Sequence, residues 1–252
     1  LTASAPDRPI VTPPAAAARV LVVMPAHNEQ DSLGATLARV RAALPAADVV
    51  VIDDFSTDRT GEVALAHGAH VVELPCNLGY GGAVQTGFKF AVARGYDVVL
   101  QIDADGQHDP GCARALLEPV LRGEVDVAMG SRFLGQARYE IPWVRRLGMR
   151  LFAAIVSLVT RQRFTDPTSG YQALGRRVVE LFARDHYPTD FPDADTIILL
   201  ALSGFRVREV PVTMEARIAG TSMHSSSQAP YYVAKMLLSI LMVLLRQKRL
   251  RA

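Results

Sequence analysis

Val98-Val99-Leu100-Gln101-Ile102-Asp103-Ala104-Asp105-Gly106-Gln107-His108-Asp109-Pro110 starts as an apolar run and ends as a polar one. The first part predicts a buried strand. The second places two carboxylates with one residue between them, followed by a glycine, an amide and an imidazole. On an extended strand end, Asp103 and Asp105 point the same way, because side chains repeat every second residue. Converging carboxylates repel, and the pair is costly unless a cation sits between them. A hard divalent cation, Mg²⁺ or Mn²⁺, takes oxygen ligands and shares its remaining positions with water and a diphosphate. The competing reading makes these acids caps of the next helix, and Asp109, just before Pro110, fits that role best.

Outward from this stretch the same pattern recurs. Arg19 to Pro25 predicts a buried strand, followed by a polar loop over 26–32 and by Leu33, Leu37, Val40, Ala43 and Leu44 at helical spacing. Asp48 to Ile52 predicts a second strand, closed by Asp53 and Asp54, with Ser56 or Thr57 capping a helix that runs to His67. Residues 69–74 predict a third strand, 83–94 a helix, 111–122 another helix, and 125–130 a strand ending in Ser131-Arg132. This alternation predicts an α/β fold: a mostly parallel sheet flanked by helices on both faces. The polar clusters all fall at strand C-terminal ends, where open α/β sheets bind ligands, and that shared location argues for a single active site. The glycines between 79 and 87 read two ways: close backbone approach to a nucleotide, or close helix packing.

Beyond residue 130 the pattern loosens. Gly135 to Arg150 is basic, with Arg138, Arg145, Arg146 and Arg150; it reads as a solvated helix face or as a phosphate site built from guanidinium forks. The apolar run Leu151 to Val159 is too short to cross a bilayer, which takes about 20 residues. A turn over 165–171 precedes helices at 175–183 and 193–202, the second led by Asp193 and Asp195, then a strand at 205–213 and a polar segment at 215–224 that reads as a mobile lid. Tyr231 to Leu245 predicts a helix apolar nearly all round, followed by Arg246, Lys248, Arg249 and Arg251. Tyrosines at one end and cations at the other suit a membrane interface; the alternative buries the helix in a homo-oligomer contact or against the domain. The chain thus divides into a disordered Ala/Pro-rich leader at 1–18, one domain at 19–228 and a C-terminal apolar/basic helix at 229–252. A net charge of +2 gives no argument for a nucleic-acid partner. Two cysteines without metal-type spacing, Cys76 and Cys112, fit a reduced cytosolic chain.

Taken together, these pieces resemble family 2 glycosyltransferases of the GT-A fold, in the group of dolichol-phosphate mannose synthases. The resemblance spans residues 19 to about 228 and is carried by Met24-Pro25-Ala26-His27-Asn28-Glu29, Ile52-Asp53-Asp54-Phe55-Ser56-Thr57-Asp58-Arg59-Thr60, Asn77-Leu78-Gly79-Tyr80-Gly81, Asp103 to His108, Gly130-Ser131-Arg132, Asp166 to Tyr171 and Arg217 to Ser222. It implies that Pro25, His27, Glu29, Asp53, Asp54 and Gly79 line the nucleotide pocket of a nucleotide-diphosphate sugar, with Ala104 beside it. It implies that Asp103, Asp105 and Gln107 surround the metal, and that Arg217 closes over the diphosphate. Arg132 and Arg145 would hold the phosphate of a polyprenyl-phosphate acceptor. Two departures stand out: Met149 occupies the place of an acceptor-side serine, and Met223 that of a lysine after the lid serine.

The resemblance implies an inverting hexosyl transfer on the inner face of a membrane, with the enzyme bound peripherally to its surface. An anionic acceptor phosphate attacks without a strong base; a hydroxyl acceptor, the alternative, requires one, for which Asp166 is the first candidate and Asp195 the second. A phosphohydrolase built on the Asp-x-Asp pair is a weaker fit, since the pair follows the fourth strand and not the first. A non-enzymatic nucleotide-binding scaffold leaves the convergence of Asp103 and Asp105 without a reason.

Overall fold

A computed structural model describes residues 18–138, 140–184, 187–188, 192–217 and 229–251; the side chains of 137, 144–145, 229–230 and 246–251 lie outside that description. Seven strands form one sheet: β1 (Val20–Ala26), β2 (Asp48–Asp53), β3 (His70–Glu73), β4 (Val98–Gln101), β5 (Val127–Ala137), β6 (Gln172–Gly175) and β7 (Val207–Met214). Their order across the sheet is β3-β2-β1-β4-β6-β5-β7. All neighbours are parallel except β6, which runs antiparallel to both β4 and β5.

Strand alternation sorts the apolar residues onto two faces. Val22 and Met24 of β1, Val49 and Val51 of β2 and Leu100 of β4 meet Leu33, Leu37 and Val40 on α1 (Gln30–Ala43) and Leu116 and Leu117 on α4 (Ala113–Leu121). Between them in sequence, α2 (Thr60–Ala66) covers the β2–β3 edge of the same face with Ala64. The intervening residues, Leu21, Val23, Val50, Ile52 and Val99, face a larger group of helices. These are α3 (Gly79–Arg94), α5 (Trp143–Thr160), α6 (Arg176–Phe182), α7 (Ala194–Leu202) and α8 (Ala229–Arg251). A sheet clad on both sides explains why its strands read as unbroken apolar runs. At Gly87 a Cβ would come within 2.2 Å of Val23 Cγ1, so this glycine serves close packing of α3 on β1.

The structure departs from the sequence reading in several places, and neither Ser56 nor Thr57 caps α2, which starts at Thr60; both bond Asn28 instead. Strand β6 was not expected; its four residues, Gln172-Ala173-Leu174-Gly175, follow the turn directly and carry no apolar run. Strand β5 continues to Ala137 past an irregularity between Ser131 and Gln136, so the basic stretch splits between a strand end and α5. Helix α3 starts at Gly79, not 83. No helix among the described residues is long and apolar enough to cross a membrane. The leader at 1–17 and the lid residues 218–224 lie outside the described residues.

Candidate active site

The loops after β1, β2, β3 and β4 meet at one end of the sheet and are laced together by side chain to backbone bonds. His27 Nδ1 lies 2.8 Å from the Asp54 carbonyl, to which it donates, and the Asp54 carboxylate accepts the Leu78 N–H at 2.7 Å. Asn28, held at φ 55°, accepts the Thr57 N–H through its amide oxygen at 2.8 Å. The Glu29 N–H donates to Thr60 Oγ1 at 2.9 Å. These bonds replace the ladder partners the chain loses on leaving each strand.

Above them lies a cavity of about 490 Å³, within the range of small-molecule sites. Pro25, His27, Glu29, Asp54, Gly79, Asp103, Ala104, Asp105 and Arg217 all line it. Asp53 does not: it accepts the Ser56 N–H at 2.9 Å and its other oxygen faces α2, 3.1 Å from where a Gly61 Cβ would stand. The alternation of adjacent residues sends Asp54 to the cavity side and Asp53 to the helix side. Gln107 lies outside the lining as well; its N–H donates to Asp105 Oδ1 at 2.9 Å and its carbonyl accepts the Glu215 N–H. Asn77 and Tyr80 line the cavity and were missed; their place inside the Asn77 to Gly81 stretch was the available signal. A larger hollow of about 620 Å³ lies at the opposite end of the strands, beside Leu44 and Leu117, where Glu118 pairs with Arg122 and no acids converge.

Two carboxylates converge on one guanidinium, and a third, Asp103, lies near enough to feel its charge. Arg217 Nη2 is 2.8 Å from Asp105 Oδ2, and its Nη1 is 3.5 Å from Glu29 Oε1. Asp103 accepts the Tyr80 hydroxyl at 2.9 Å, and that phenol in turn accepts the Gln101 amide N–H at 2.8 Å. Burial raises the pKa of Asp103, Asp105 and Glu29 above the ordinary carboxylate range, and Asp103 adds to the rise at Asp105. His108 Nδ1 accepts the Asp103 N–H at 3.1 Å, its ring stacks on Tyr171 at 4.7 Å, and burial lowers its pKa to about 4. It is a neutral prop under the acidic turn.

Of the three expected metal ligands, Asp103 and Asp105 line the cavity and offer carboxylate oxygens of the kind Mg²⁺ and Mn²⁺ take, while Gln107 is tied in only through its backbone. The charge Arg217 leaves unbalanced on the three acids also fits a divalent cation. No group of three or more His, Cys, Asp or Glu side chains among the described residues is arranged to hold a metal unaided, so diphosphate and water oxygens would complete the shell.

A second buried ion pair adjoins this site. Arg132 Nε donates to Asp166 Oδ2 at 2.6 Å, and the Arg132 backbone N–H donates to the same oxygen at 3.1 Å. Arg132 is 7% exposed and Asp166 fully buried. The Glu209 carboxylate on β7 accepts the N–H groups of Thr165 and Asp166, latching the turn to the sheet. At Gly170 a Cβ would lie 2.5 Å from Tyr80 Oη and 3.7 Å from Asp103 Oδ1, so the same turn abuts the acidic site. Arg132 also lowers the Asp103 pKa through its charge. Asp166 is therefore engaged as the counter-ion of Arg132.

Asp195, in the first turn of α7, accepts the Thr196 N–H at 2.8 Å and the Ser239 hydroxyl of α8, which ties that end of α7 to α8. Neighbouring Asp193 accepts the Tyr232 hydroxyl at 2.6 Å. Arg145 lies in the first turn of α5, with its side chain outside the description. Met149 is buried, 4% exposed.

Comparison with known proteins gives a consistent picture. The profile described as Glycosyl transferase family 2 matches residues 21–182. An undecaprenyl-phosphate mannosyltransferase of Micrococcus luteus is 35% identical over 223 residues, covering 82% of this chain and 88% of the relative. A polyprenol monophosphomannose synthase of Mycolicibacterium smegmatis is 35% identical over 219 residues, covering 83% and 82%. Among solved structures, the glucosyl-3-phosphoglycerate synthase of Mycobacterium tuberculosis, in complex with Mn²⁺ and UDP-glucose, superposes with a TM-score of 0.70 at 19% identity, covering 90% of this chain and 79% of that one. At that identity the likeness speaks for the fold.

Proposed function

The chain belongs to glycosyl transferase family 2, as a GT-A enzyme of the dolichol-phosphate mannose synthase-like group, and from that premise we propose that it moves a hexose, with inversion, from a nucleotide-diphosphate sugar to a polyprenyl phosphate at a membrane surface. The observation that carries this reading is the adjacency of two charged centres. Glu29 and Asp105 pair with Arg217 close to Asp103, and the buried Arg132–Asp166 pair stands beside them.

The first centre suits the donor. Pro25, His27, Asp54 and Gly79 form the walls against which a nucleoside would lie. Arg217 is placed to neutralise negative charge on a leaving diphosphate. A divalent cation held by Asp103, Asp105 and Gln107 would supply Lewis-acid stabilisation of the same charge. The Tyr80 hydroxyl fixes one Asp103 oxygen, and the other lies 3.7 Å from His108 Nε2.

The second centre suits the acceptor. Asp166 and the Arg132 backbone fix the guanidinium in one orientation, ready to position an anionic phosphate in line with the donor. Such a nucleophile is already deprotonated near neutral pH. That fits a site whose nearby acids are engaged: Asp166 by Arg132, and Asp195 by α7 and α8. Transfer to a hydroxyl is the second reading. The buried Met149, standing where the family's acceptor side has a hydroxyl, favours it.

Incubation with radiolabelled GDP- and UDP-hexoses and Mn²⁺, offering polyprenyl phosphate or sugar acceptors, tests the proposal. Label in an organic-extractable, mild-acid-labile product is expected. Transfer to hydroxyl acceptors alone would overturn it in favour of the second reading.

A further inference from the structure

A relay of two side chains lies beneath Asp103. Gln101 is the last residue of β4 and is 2% exposed. An amide at the end of a central strand, out of water, needs partners. Its Nε2 donates to the Tyr80 hydroxyl at 2.8 Å, and that hydroxyl stands 2.9 Å from Asp103 Oδ1. Tyr80 arrives from the first turn of α3, 21 and 23 residues away along the chain. Bare Gly170 closes over the relay: a Cβ there would lie 2.5 Å from the Tyr80 oxygen and 3.4 Å from Gln101 Nε2.

The donors permit one arrangement. An amide nitrogen only donates, so the phenol oxygen accepts from Gln101. Its single proton is then directed at Asp103, which receives it as a carboxylate. On the other side, His108 Nδ1 accepts the Asp103 N–H, which puts the imidazole proton on Nε2, 3.7 Å from Asp103 Oδ2. The carboxylate plane is thus held from both ends. Each of its oxygens keeps a second lone pair, and Asp103 lines the cavity with 28% of its side chain exposed. Asp105 is held differently, by the Gln107 N–H and the Arg217 guanidinium.

Carboxylate orientation matters unequally to the two candidate ions. Mg²⁺ demands near-ideal octahedral geometry and dehydrates reluctantly. Mn²⁺ takes the same oxygen ligands and, being larger and with a half-filled shell, imposes less on their direction. A carboxylate free to swivel therefore loses Mg²⁺ first. We propose that Tyr80 is the positioning residue of Asp103, and that the Gln101–Tyr80–Asp103 relay is what fits this site to Mg²⁺ and not to Mn²⁺ alone. This rests on the metal-assisted reading above.

Mn²⁺ binding is read by electron paramagnetic resonance in the full-length protein with GDP and, separately, with UDP. Mg²⁺ binding is read by displacement of Mn²⁺, and neither measurement needs turnover. In Tyr80→Phe, which keeps the ring and removes the proton, Mn²⁺ should bind about tenfold more weakly and Mg²⁺ about a hundredfold. The same change strands the Gln101 amide, so the melting temperature should fall. Tyr80→Phe with Gln101→Leu removes both polar partners; its melting temperature should recover while the Mg²⁺ defect persists. Recovery of Mg²⁺ affinity together with stability would make the relay structural and overturn the proposal. Equal weakening of the two ions overturns it as well, since a softened site costs both alike. Unchanged affinity for both ions overturns it and leaves metal-assisted transfer standing. If the parent binds neither ion with either nucleotide, the metal-assisted reading itself falls and the proposal with it.

Discussion

Asp103 and Asp105 stand two residues apart just past the end of β4, in a turn and not on the extended strand the sequence suggested, so a short local stretch sets where they point. Arg132 and Asp166 lie 34 residues apart and meet only because a turn is latched to β5 and β7. The acid pair of the proposed donor side is thus placed locally, and Glu29 and Arg217 join it from distant parts of the chain. The acceptor side is assembled by tertiary contact, with both partners of its ion pair out of water. Removing a donor-side acid relieves repulsion, whereas removing the acceptor-side acid strands a buried cation. Function and stability should therefore separate on one side and coincide on the other.

The largest effect expected is on turnover in Asp105→Ala. Loss of a carboxylate that holds Arg217, and would hold the metal, should lower the transfer rate on the order of a thousandfold or more. Its melting temperature without added metal should match or exceed that of the parent. A lowered melting temperature in a calorimetric scan would break the comparison.

Asp166→Ala should do the reverse in stability. A buried pair broken on one side costs about 3–5 kcal/mol, readable as a lower denaturant midpoint with an unchanged slope. A midpoint equal to that of Asp105→Ala would mean that the two sides are built alike.

Gly170→Ala sits at the seam. Its Cβ would displace the Tyr80 hydroxyl from Asp103, at an overpacking cost of roughly 1–3 kcal/mol. Donor hydrolysis and transfer should fall together, by about tenfold. A fall in transfer alone would place the seam wholly on the acceptor side.

The smallest effect concerns Asp193, whose pKa burial raises to about 7 although Tyr232 and Arg132 pull it down. The group binds a proton more tightly folded than unfolded. Its contribution therefore favours the fold below about pH 4 and is lost as pH rises through 7. Asp193→Asn should raise the melting temperature by about 2–4 °C at pH 8 relative to the parent and leave it unchanged at pH 4. An equal shift at both pH values would sink the assignment.

The same contrast governs what the sequence disclosed. Strands β1, β2 and β4 and the acid pair were legible because burial on both faces writes long apolar runs that end abruptly in polar residues. Strand β6 was illegible: four residues, half of them glutamine and glycine, become a strand only by pairing with β4 and β5 across distant sequence. Tyr80 was passed over because a phenol beside glycines looks like loop filling, and its role depends on Gln101 and Asp103 arriving beneath it. Asp53 was expected in the cavity beside Asp54, yet a strand end can send only one of two adjacent side chains to each face. The engagement of Asp166 and Asp195, read as candidate bases, was hidden for the same reason as β6, since their partners lie 34 and 44 residues away.

Strand β6 also sets the order of events during synthesis. The first four strands are complete when Gln101 has been made, but the outer edge of β4 has no partner until Gln172 is added about 70 residues later. At ribosomal speeds that interval lasts roughly 4 to 14 s. Throughout it, Val98-Val99-Leu100 offers an unpaired apolar edge to any other nascent chain. The vulnerable species in the life of this enzyme is its own N-terminal half, newly made and waiting for a strand of four residues.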